Sequence, residues 1–381
     1  MSRFVADARG GWHGSRARGQ QPIVIQKKSQ PSKVLRIGFV PLCDCAPLVM
    51  AGELGLFERY GLRVQLKREI GWATLRDKVL FGELEAAHAL APMVFAATQG
   101  WDSPAVPCLT GLVLNLHGNA ITLSRSLLEK WKGGEAELFA GKDRLVLGIP
   151  FRYSSHHCIA RLWLRRLGGQ VERRTQFVVV PPPQMPQSLR EGHLDGYCAG
   201  EPWNSMAALG GFGRIAAASA GIAPLHPEKV LMVRSDFAQQ RAEQHELLIA
   251  ALIEACRYCD EPNNRERIVA TLARRQYLNA PAEALRLAFG SAGGAGDGGP
   301  VNPEDFTIFA RDNANEPSGK KAAWIFENLR DSGLCPDSSA LTFPLAKRVF
   351  RADLFARALR LCQAIELNTN HESDQNESIP A

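Results

Sequence analysis

The sequence has no stretch that approaches the roughly 18 consecutive apolar residues that a membrane-spanning helix needs. Its first 33 residues are basic and rich in Gly, Ser and Gln. They contain no continuous apolar run of the about 7–15 residues that a secretory signal requires. We therefore expect a protein that neither spans a membrane nor is exported, and we place it in the cytoplasm.

The sequence also lacks a disulfide framework. Its nine cysteines are an odd number, scattered from Cys43 to Cys362, as expected of free thiols in a reducing compartment. Two close pairs, Cys43 with Cys45 and Cys256 with Cys259, have spacings that can chelate metal or carry redox chemistry. Because a structural zinc site needs four ligands, we favour ordinary half-buried thiols at both pairs. We expect neither a metal nor a cofactor.

Patterns for nucleic-acid binding and for catalysis are missing as well. The net charge of +6 is spread along the chain, and the arginines from Arg161 to Arg174 fit the solvated face of a helix. Since there is no zinc-finger, RRM or P-loop pattern, we expect no direct contact with nucleic acid. No serine or cysteine nucleophile can be paired with an oriented base, so we expect no enzyme.

What the chain does have is length and a regular alternation of elements. With 381 residues and 45% hydrophobic content it can bury the core of about two domains. Apolar runs typical of strands alternate with segments of helical periodicity. The strands are expected at 34–40, 62–70, 144–150 and 176–183, the helices at 46–61, 74–84 and 154–169, and a helix followed by a short strand at 187–200. Repeated βα units predict strands that pair in parallel.

This alternation predicts an α/β fold with two lobes, in which the chain crosses between the lobes more than once. That is the type II periplasmic-binding-protein-like architecture, with a hinge and a central ligand cleft. The predicted organisation is a disordered basic segment at 1–33, lobe 1 at 34–120 plus 225–368, lobe 2 at 121–224, and a disordered tail at 369–381. A glycine-rich loop is expected at 290–300.

The segment VVVPPPQMPQSLREGHLDGYCAGEPWN, residues 178–204, is a candidate wall of the cleft. Three consecutive prolines from Pro181 end the strand and stiffen its backbone, and Gly200 allows the main chain to approach a ligand closely. A rigid proline-rich turn without any ligand is the alternative interpretation of these residues alone.

Six segments together decide between these interpretations. They are GFVPLCDCAPLVMAGELGLFERYGL (38–62), GWATLRDKVLFGELEAAHALAPM (71–93), LNLHGNAITLS (114–124), VVPPPQM (179–185), GYCAGEPWN (196–204) and HPEKVLMVRSDF (226–237). In this order and spacing they resemble the nitrate- and bicarbonate-binding proteins of ABC transporters, over about residues 34–366. Those relatives are usually exported and tethered to a membrane. This chain therefore most resembles the cytosolic branch of the family, a nitrate/nitrite sensor that sequesters an RNA-binding antiterminator response regulator until anion binds.

The resemblance implies a ligand pocket. Its residues are Trp72, Asn119, His156, Pro182, Gly200 and Lys229. The indole N–H of Trp72 can donate to an oxyanion, and Lys229 would offset the desolvation of a buried anion. His157 is the rival of His156, which we prefer because it keeps the family's spacing to Pro182.

Two positions bear on the choice of anion. In the bicarbonate-binding relatives an acid tied to a metal ion stands at the position of Lys229, so the lysine favours nitrate or nitrite. Asn119 stands where the family generally has glutamine and reaches about one carbon less, which leaves the preference between nitrate and nitrite open. Glu201 and Trp203 could line the pocket or hold the edge of the cleft, and we favour the edge.

Two other functions stay open on the resemblance. The same cleft could serve as the substrate-binding component of an ABC transporter for nitrate or a related oxyanion. Thiamin pyrimidine-precursor synthases share the lobes, but they rely on a cysteine-rich run that has no counterpart here. The expected partners are thus nitrate or nitrite and an antiterminator response regulator, without a membrane.

Overall fold

The computed structural model describes residues 33–131, 139, 141–290, 303–336 and 340–377. The basic segment predicted at 1–33 lies outside them except for Lys33, and the predicted loop at 290–300 lies outside them except for Gly290. No helix within these ranges is long and apolar enough to cross a membrane.

A six-stranded sheet organises the first lobe. Its strands are β1 (Leu35–Phe39), β2 (Val64–Arg68), β3 (Ala86–Leu90), β4 (Cys108–His117), β10 (Pro227–Arg234) and β11 (Thr307–Ile308). They lie in the order β11-β4-β10-β3-β1-β2. As predicted, β1 pairs in parallel with β2 and β3. β10 is antiparallel to β3 and β4, and β11 is antiparallel to β4, so the sheet is mixed and not purely parallel.

A five-stranded sheet of related order organises the second lobe. Its strands are β5 (Asn119–Ser124), β6 (Leu145–Ile149), β7 (Thr175–Val179), β8 (Gly196–Gly200) and β9 (Gly213–Ala218). They lie in the order β7-β6-β8-β5-β9, with β6 parallel to β7 and β8, and β5 antiparallel to β8 and β9. Each sheet thus contains a βαβαβ unit whose third strand pairs with an antiparallel strand from elsewhere in the chain.

Helices cover the faces of both sheets. Those of the two βαβαβ units and their extensions are α1 (Ala46–Glu53), α2 (Leu56–Arg59), α3 (Trp72–Leu80), α4 (Ala91–Gln99), α5 (Arg125–Trp131), α6 (Ser155–Leu167), α7 (Gly169–Arg173), α8 (Met185–Arg190), α9 (Trp203–Leu209) and α10 (Ser219–Ile222). Short 3-10 turns lie at Cys43–Cys45, Pro182–Gln184, Pro262–Asn264 and Pro303–Asp305. The helix predicted at 46–61 is broken at Gly55, whose φ of 68° is left-handed.

The remaining helices follow β10. They are α11 (Ser235–Gln240), α12 (Ala242–Asp260), α13 (Arg265–Leu272), α14 (Ala282–Gly290), α15 (Gly319–Asp331), α16 (Phe343–Val349) and α17 (Ala352–Glu377). α12 packs its apolar face, which includes Leu248 and Leu252, into the same core as Leu35, Ile37 and Phe39 of β1. The tail predicted to be disordered from 369 begins inside α17, which continues to Glu377.

The chain passes between the sheets at two places. β4 and β5 are separated only by Gly118, yet they belong to different sheets. The return runs from α10 to β10. The two connections are joined because the backbone N–H of Leu225 donates to His117 Nε2 at 2.5 Å and the N–H of His117 donates to the His226 carbonyl at 3.2 Å. This paired connection is the expected position of a hinge. The lobe boundaries stated above remain a prediction.

Candidate functional site

Six side chains from both sheets meet in a buried group that we call the interlobe cluster. Its members are Asp44, Asn119, Ser155, His156, Glu228 and Lys229. None of them is more than 3% exposed. Glu228 and Lys229 come from β10 of the first sheet, whereas Ser155 and His156 come from the first turn of α6 beside the second.

Lys229 is the cation of the cluster. Its Nζ lies 2.7 Å from Asp44 Oδ2 and 2.8 Å from Glu228 Oε1. It also lies 5.5 Å from the centre of the Trp72 ring, within the range of a cation–π contact. Burial opposes the charged form, but Asp44 and Glu228 outweigh it and raise the pKa of Lys229 above its usual value. The ammonium therefore stays charged inside the protein.

Glu228 is the acceptor at the centre of the cluster. Its Oε2 accepts hydrogen bonds from Asn119 Nδ2 at 2.6 Å and from the Ser155 hydroxyl. His156 Nδ1 lies 3.4 Å from its Oε1, and His226 Nε2 lies 3.6 Å from its Oε2. Burial opposes ionisation, yet Lys229 and the neighbouring histidines hold the pKa of Glu228 well below its usual value.

A β-bulge brings Glu228 and Lys229 to the same side of β10. Neighbouring residues of a regular strand point to opposite faces of the sheet. Here the pairing of β10 with β4 shifts register, since Pro227 faces Leu116 and Lys229 faces Asn115. The extra residue on β10 changes the face of the strand to which one of the two side chains points. Both side chains thereby enter the cluster.

Asp44 completes the charge balance. Burial works against its ionisation, but Lys229 and His88 hold its pKa below the usual value. His88 Nε2 lies 3.1 Å from Asp44 Oδ1. Burial lowers the pKa of His156 to about 4, so at neutral pH its ring is uncharged. Two carboxylates and one ammonium then leave the interlobe cluster with one excess negative charge.

Several polar atoms at the site have no hydrogen-bond partner within the described part of the chain. They include Trp72 Nε1, both ring nitrogens of His156, and Asn119 Oδ1. Buried polar groups are normally paired, because an unpaired one costs about 1–3 kcal/mol. Unpaired donors beside a buried ammonium are the arrangement that a small polar ligand would satisfy.

The two lobes also touch through backbone groups around the cluster. The N–H of Cys43 donates to the Glu201 carbonyl at 2.7 Å, and Trp203 Nε1 donates to the Pro41 carbonyl at 3.3 Å. Burial raises the pKa of Glu201 to about 7. Its Oε2 accepts from the N–H of Ser205 at 3.0 Å in the first turn of α9. The preferred interpretation of Glu201 and Trp203, that they hold the edge of the cleft, fits these contacts.

The two candidate histidines at the start of α6 have different surroundings. The Ser154 side chain caps this helix by accepting from the N–H of His157 at 3.2 Å. The ring of His157 is already engaged, with Nδ1 3.0 Å from the Arg152 carbonyl and Nε2 accepting from Arg161 Nε at 3.2 Å. His156 instead belongs to the interlobe cluster. The geometry therefore agrees with choosing His156 over His157.

The structure brings five of the six predicted pocket residues together. Trp72, Asn119, His156, Gly200 and Lys229 all lie in or against the interlobe cluster. Pro182 is buried at the start of the 3-10 turn after β7, where its carbonyl accepts from the N–H of Met185. No described hydrogen bond or ion pair joins Pro182 to the other five.

Sequence reasoning missed Glu228, Ser155 and the role of Asp44. Lys229 was identified from the family resemblance as the charged contact, and the resemblance pointed to no role for the neighbouring Glu228. The available signal was Pro227, because a proline inside a strand marks an edge or a bulge. Ser155 was visible only as part of a helix start.

The cysteine pairs do not assemble into a metal centre. All nine cysteines are free thiols, and no group of three or more metal-ligating side chains occurs in the described ranges. Burial raises the pKa of Cys256 and Cys45 above the usual thiol value, which makes them poor nucleophiles. The four side chains of the two pairs are buried, at 6% exposure or less, and not half-buried as predicted.

Gly200 gives the first testable prediction. A Cβ there would stand 3.3 Å from Leu42 Cδ2, 3.5 Å from Asn119 Oδ1 and 3.6 Å from Asp44 Oδ2. Overpacking of this kind costs roughly 1–3 kcal/mol, so Gly200→Ala should weaken ligand binding by about tenfold and leave the fold intact. Calorimetric titration measures this. Gly52→Ala is the control, because its Cβ would meet nothing closer than 3.9 Å. Equal affinities in the two variants would contradict the prediction.

These two sheets, with two crossings and a buried polar group between the lobes, define the two-lobed periplasmic-binding-protein fold. The chain belongs to the NMT1-like family, whose model matches residues 28–273. The crystal structure of the periplasmic nitrate-binding protein NrtA from Synechocystis PCC 6803 is similar with a TM-score of 0.78 and 26% identity, over 86% of this chain and 88% of that one. This confirms the predicted fold class.

Two curated relatives are similar in sequence. The nitrate/nitrite binding protein NrtA of Synechococcus elongatus is 30% identical over 345 residues, covering 86% of this chain and 78% of that protein. The bicarbonate transport ATP-binding protein CmpC of Synechocystis sp. is 33% identical over 355 residues, covering 90% of this chain and 52% of that protein. The chain thus spans about half the length of some curated relatives it matches. These relatives are named as binding or transport proteins.

Proposed function

We propose that this protein binds nitrate or nitrite between its two lobes and closes on it. The observation that carries the proposal is a buried ammonium, Lys229, beside the donor Trp72 Nε1 and the ring nitrogens of His156, none of which has a partner among the described residues. A planar oxyanion needs a cation and several N–H donors to offset its loss of hydration. The nitrate-binding relatives support the same ligand.

Lys229 also favours nitrate or nitrite over bicarbonate. A metal ion could replace the cation in a bicarbonate site, but no metal-ligating group of three occurs among the described residues. Bicarbonate is nevertheless the necessary competitor in any test, because CmpC is similar over most of the chain.

Titration calorimetry of the purified chain with nitrate, nitrite and bicarbonate in chloride-free buffer tests the proposal. We expect nitrate or nitrite to bind with a Kd of about 1 µM or tighter, equivalent to about 8 kcal/mol. Bicarbonate should bind much more weakly. Binding of bicarbonate alone would replace the proposed ligand, and binding of none of the three would refute the proposal.

In either role a second protein must recognise the closed state, and two such partners are proposed. In the first, the protein is a cytoplasmic sensor that holds an antiterminator response regulator when open and releases it on closing, which shifts a two-state equilibrium. In the second, the closed lobes deliver the anion to an ABC transporter, a role that the relatives' names support.

One comparison distinguishes the sensor from the transporter component. A complex with the response regulator that forms without nitrate and dissociates with it would support the sensor, together with recovery of the native protein in the cytosolic fraction. Restoration of nitrate uptake in cells that lack their own binding component would support transport. No complex with the regulator under either condition would exclude the sensor.

A further inference from the structure

The protonation of His156 decides how its ring meets an anion. Its Nδ1 lies 3.4 Å from Glu228 Oε1, so attraction to this carboxylate favours the ring hydrogen at Nδ1 although the two atoms do not form a hydrogen bond. Its Nε2 is buried and has no partner among the described residues. A neutral imidazole carries one hydrogen only. A neutral ring with its hydrogen at Nδ1 therefore presents a bare lone pair at Nε2, which repels an oxyanion.

The net charge of the interlobe cluster also opposes the binding of an anion. Asp44, Glu228 and Lys229 are all fully or nearly fully buried, at 3%, 0% and 0% exposure, and together they already carry one excess negative charge. A bound monovalent anion would raise the excess to two among side chains that are buried from solvent. Unscreened like charges in low dielectric are strongly unfavourable. A proton taken up at the same time would restore the original charge.

We propose that the cleft binds its oxyanion together with one proton from solvent, and that His156 holds this proton between Glu228 and the anion. This inference rests on the proposed function. The lone pair of one ring nitrogen accepts the proton, so the ring becomes an imidazolium with Nδ1–H directed to Glu228 and Nε2–H directed to the anion. The proton leaves a hydronium ion or a buffer acid in solution, and no other bond forms or breaks. The ligand taken up is thus equivalent to the neutral oxoacid.

The groups around His156 define the possible competitors for this proton. They are Asp44 after β1, His88 on β3, His226 directly before β10, Glu228 and Lys229 on β10, Cys198 on β8 and Glu201 after it. Asp44 and Glu228 are held ionised by Lys229, which lowers their pKa values. His226 is a rival because its Nε2 faces Glu228 while its Nδ1 lies 2.8 Å from the Ala223 carbonyl. Glu201, with a pKa of about 7, is the other rival.

Calorimetry measures the proton directly. Nitrate is titrated into the full chain at about pH 6, in chloride-free buffers that differ in ionisation enthalpy. The slope of apparent binding enthalpy against buffer ionisation enthalpy is the number of protons taken up, and we expect about one. Binding raises the pKa of His156 from about 4. Affinity should therefore be greatest below this value and fall about tenfold per pH unit until pH passes the pKa of the complex.

Variants assign the proton to its residue. His156→Gln keeps one amide donor for the anion but cannot take up a proton, so its slope should fall to near zero while nitrate still binds more weakly. His193→Gln is the matched control, because His193 is exposed, with 72% of its side chain accessible. Its slope should equal that of the unchanged protein.

Three outcomes would overturn the inference. The first is nitrate binding with a slope near zero in the unchanged protein, accompanied by an affinity that does not vary with pH. The second is a slope of about one that persists in His156→Gln and disappears in His226→Gln or Glu201→Gln. The third is the absence of any nitrate binding, which refutes the proposed function as well and is distinguished from the first by the missing heat of binding.

Discussion

Lys229→Met should abolish nitrate binding and destabilise the fold at the same time. The substitution keeps the length of the side chain but removes the ammonium between Asp44 and Glu228. Removing one partner of a buried ion pair costs about 3–5 kcal/mol, because the remaining charge has no counterion. Here two carboxylates would lose theirs. Loss of the cation should also weaken nitrate binding by at least about 100-fold.

The two effects can be separated by removing the carboxylates as well. In the triple variant Lys229→Met, Asp44→Asn and Glu228→Gln, neutral groups of similar shape replace every charge of the ion-paired centre. Because no carboxylate is then left without its counterion, urea unfolding should show that most of the lost free energy of unfolding is recovered. Nitrate binding should not return, because the ammonium that offsets the anion's desolvation is still missing.

A surface ion pair provides the control. Arg286 Nη2 lies 3.1 Å from Glu266 Oε2, and 57% and 71% of the two side chains are exposed. Arg286→Met should change neither stability nor nitrate binding measurably, since exposed pairs contribute little. Nitrate binding of ordinary strength in Lys229→Met would show that the ligand does not rely on this lysine, and the interlobe cluster would lose its role as the binding site.

Local patterns in the sequence were sufficient to predict β1, β2, β6 and β7. The run around Ile37 became β1, and the prolines after Val180 ended β7 close to the predicted position. These predictions succeeded because apolar periodicity and proline stops are local properties. The mixed character of both sheets was missed, because β10 reaches its place beside β3 from more than a hundred residues away, and no local pattern encodes such a pairing.

The candidate site was predicted in part for the same reason. A family resemblance was enough to identify Trp72 and Lys229, and both lie at the cluster. Glu228 was missed because its position depends on a bulge in the pairing of β10 with β4. The charge of the site is therefore a tertiary property. A lysine that looks like a free anion receptor in the sequence is, in the fold, shared between two carboxylates.

A second buried lysine fixes the segment that precedes α15. Lys321 Nζ donates to the carbonyls of Asn313, Ala314 and Glu316 at 2.7, 2.9 and 2.7 Å. Between them, Asn315 is bonded to β4, since its carbonyl accepts from the N–H of Val113 at 3.0 Å and its amide donates to the Val113 carbonyl at 2.9 Å. The ammonium therefore holds a turn that supports a central strand of the first sheet.

Lys321→Met should lower the free energy of unfolding by about 3 kcal/mol, because three carbonyl groups lose their donor and each buried unsatisfied group costs about 1–3 kcal/mol. Urea unfolding measures this loss, and Lys320→Met is the matched control because the neighbouring lysine is exposed. Nitrate affinity of the folded variant should stay unchanged, since no described contact joins Lys321 to the interlobe cluster. Equal stability of the two variants would mean that water replaces the ammonium at these carbonyls, and a lowered affinity would show that the turn and the cleft are coupled through β4.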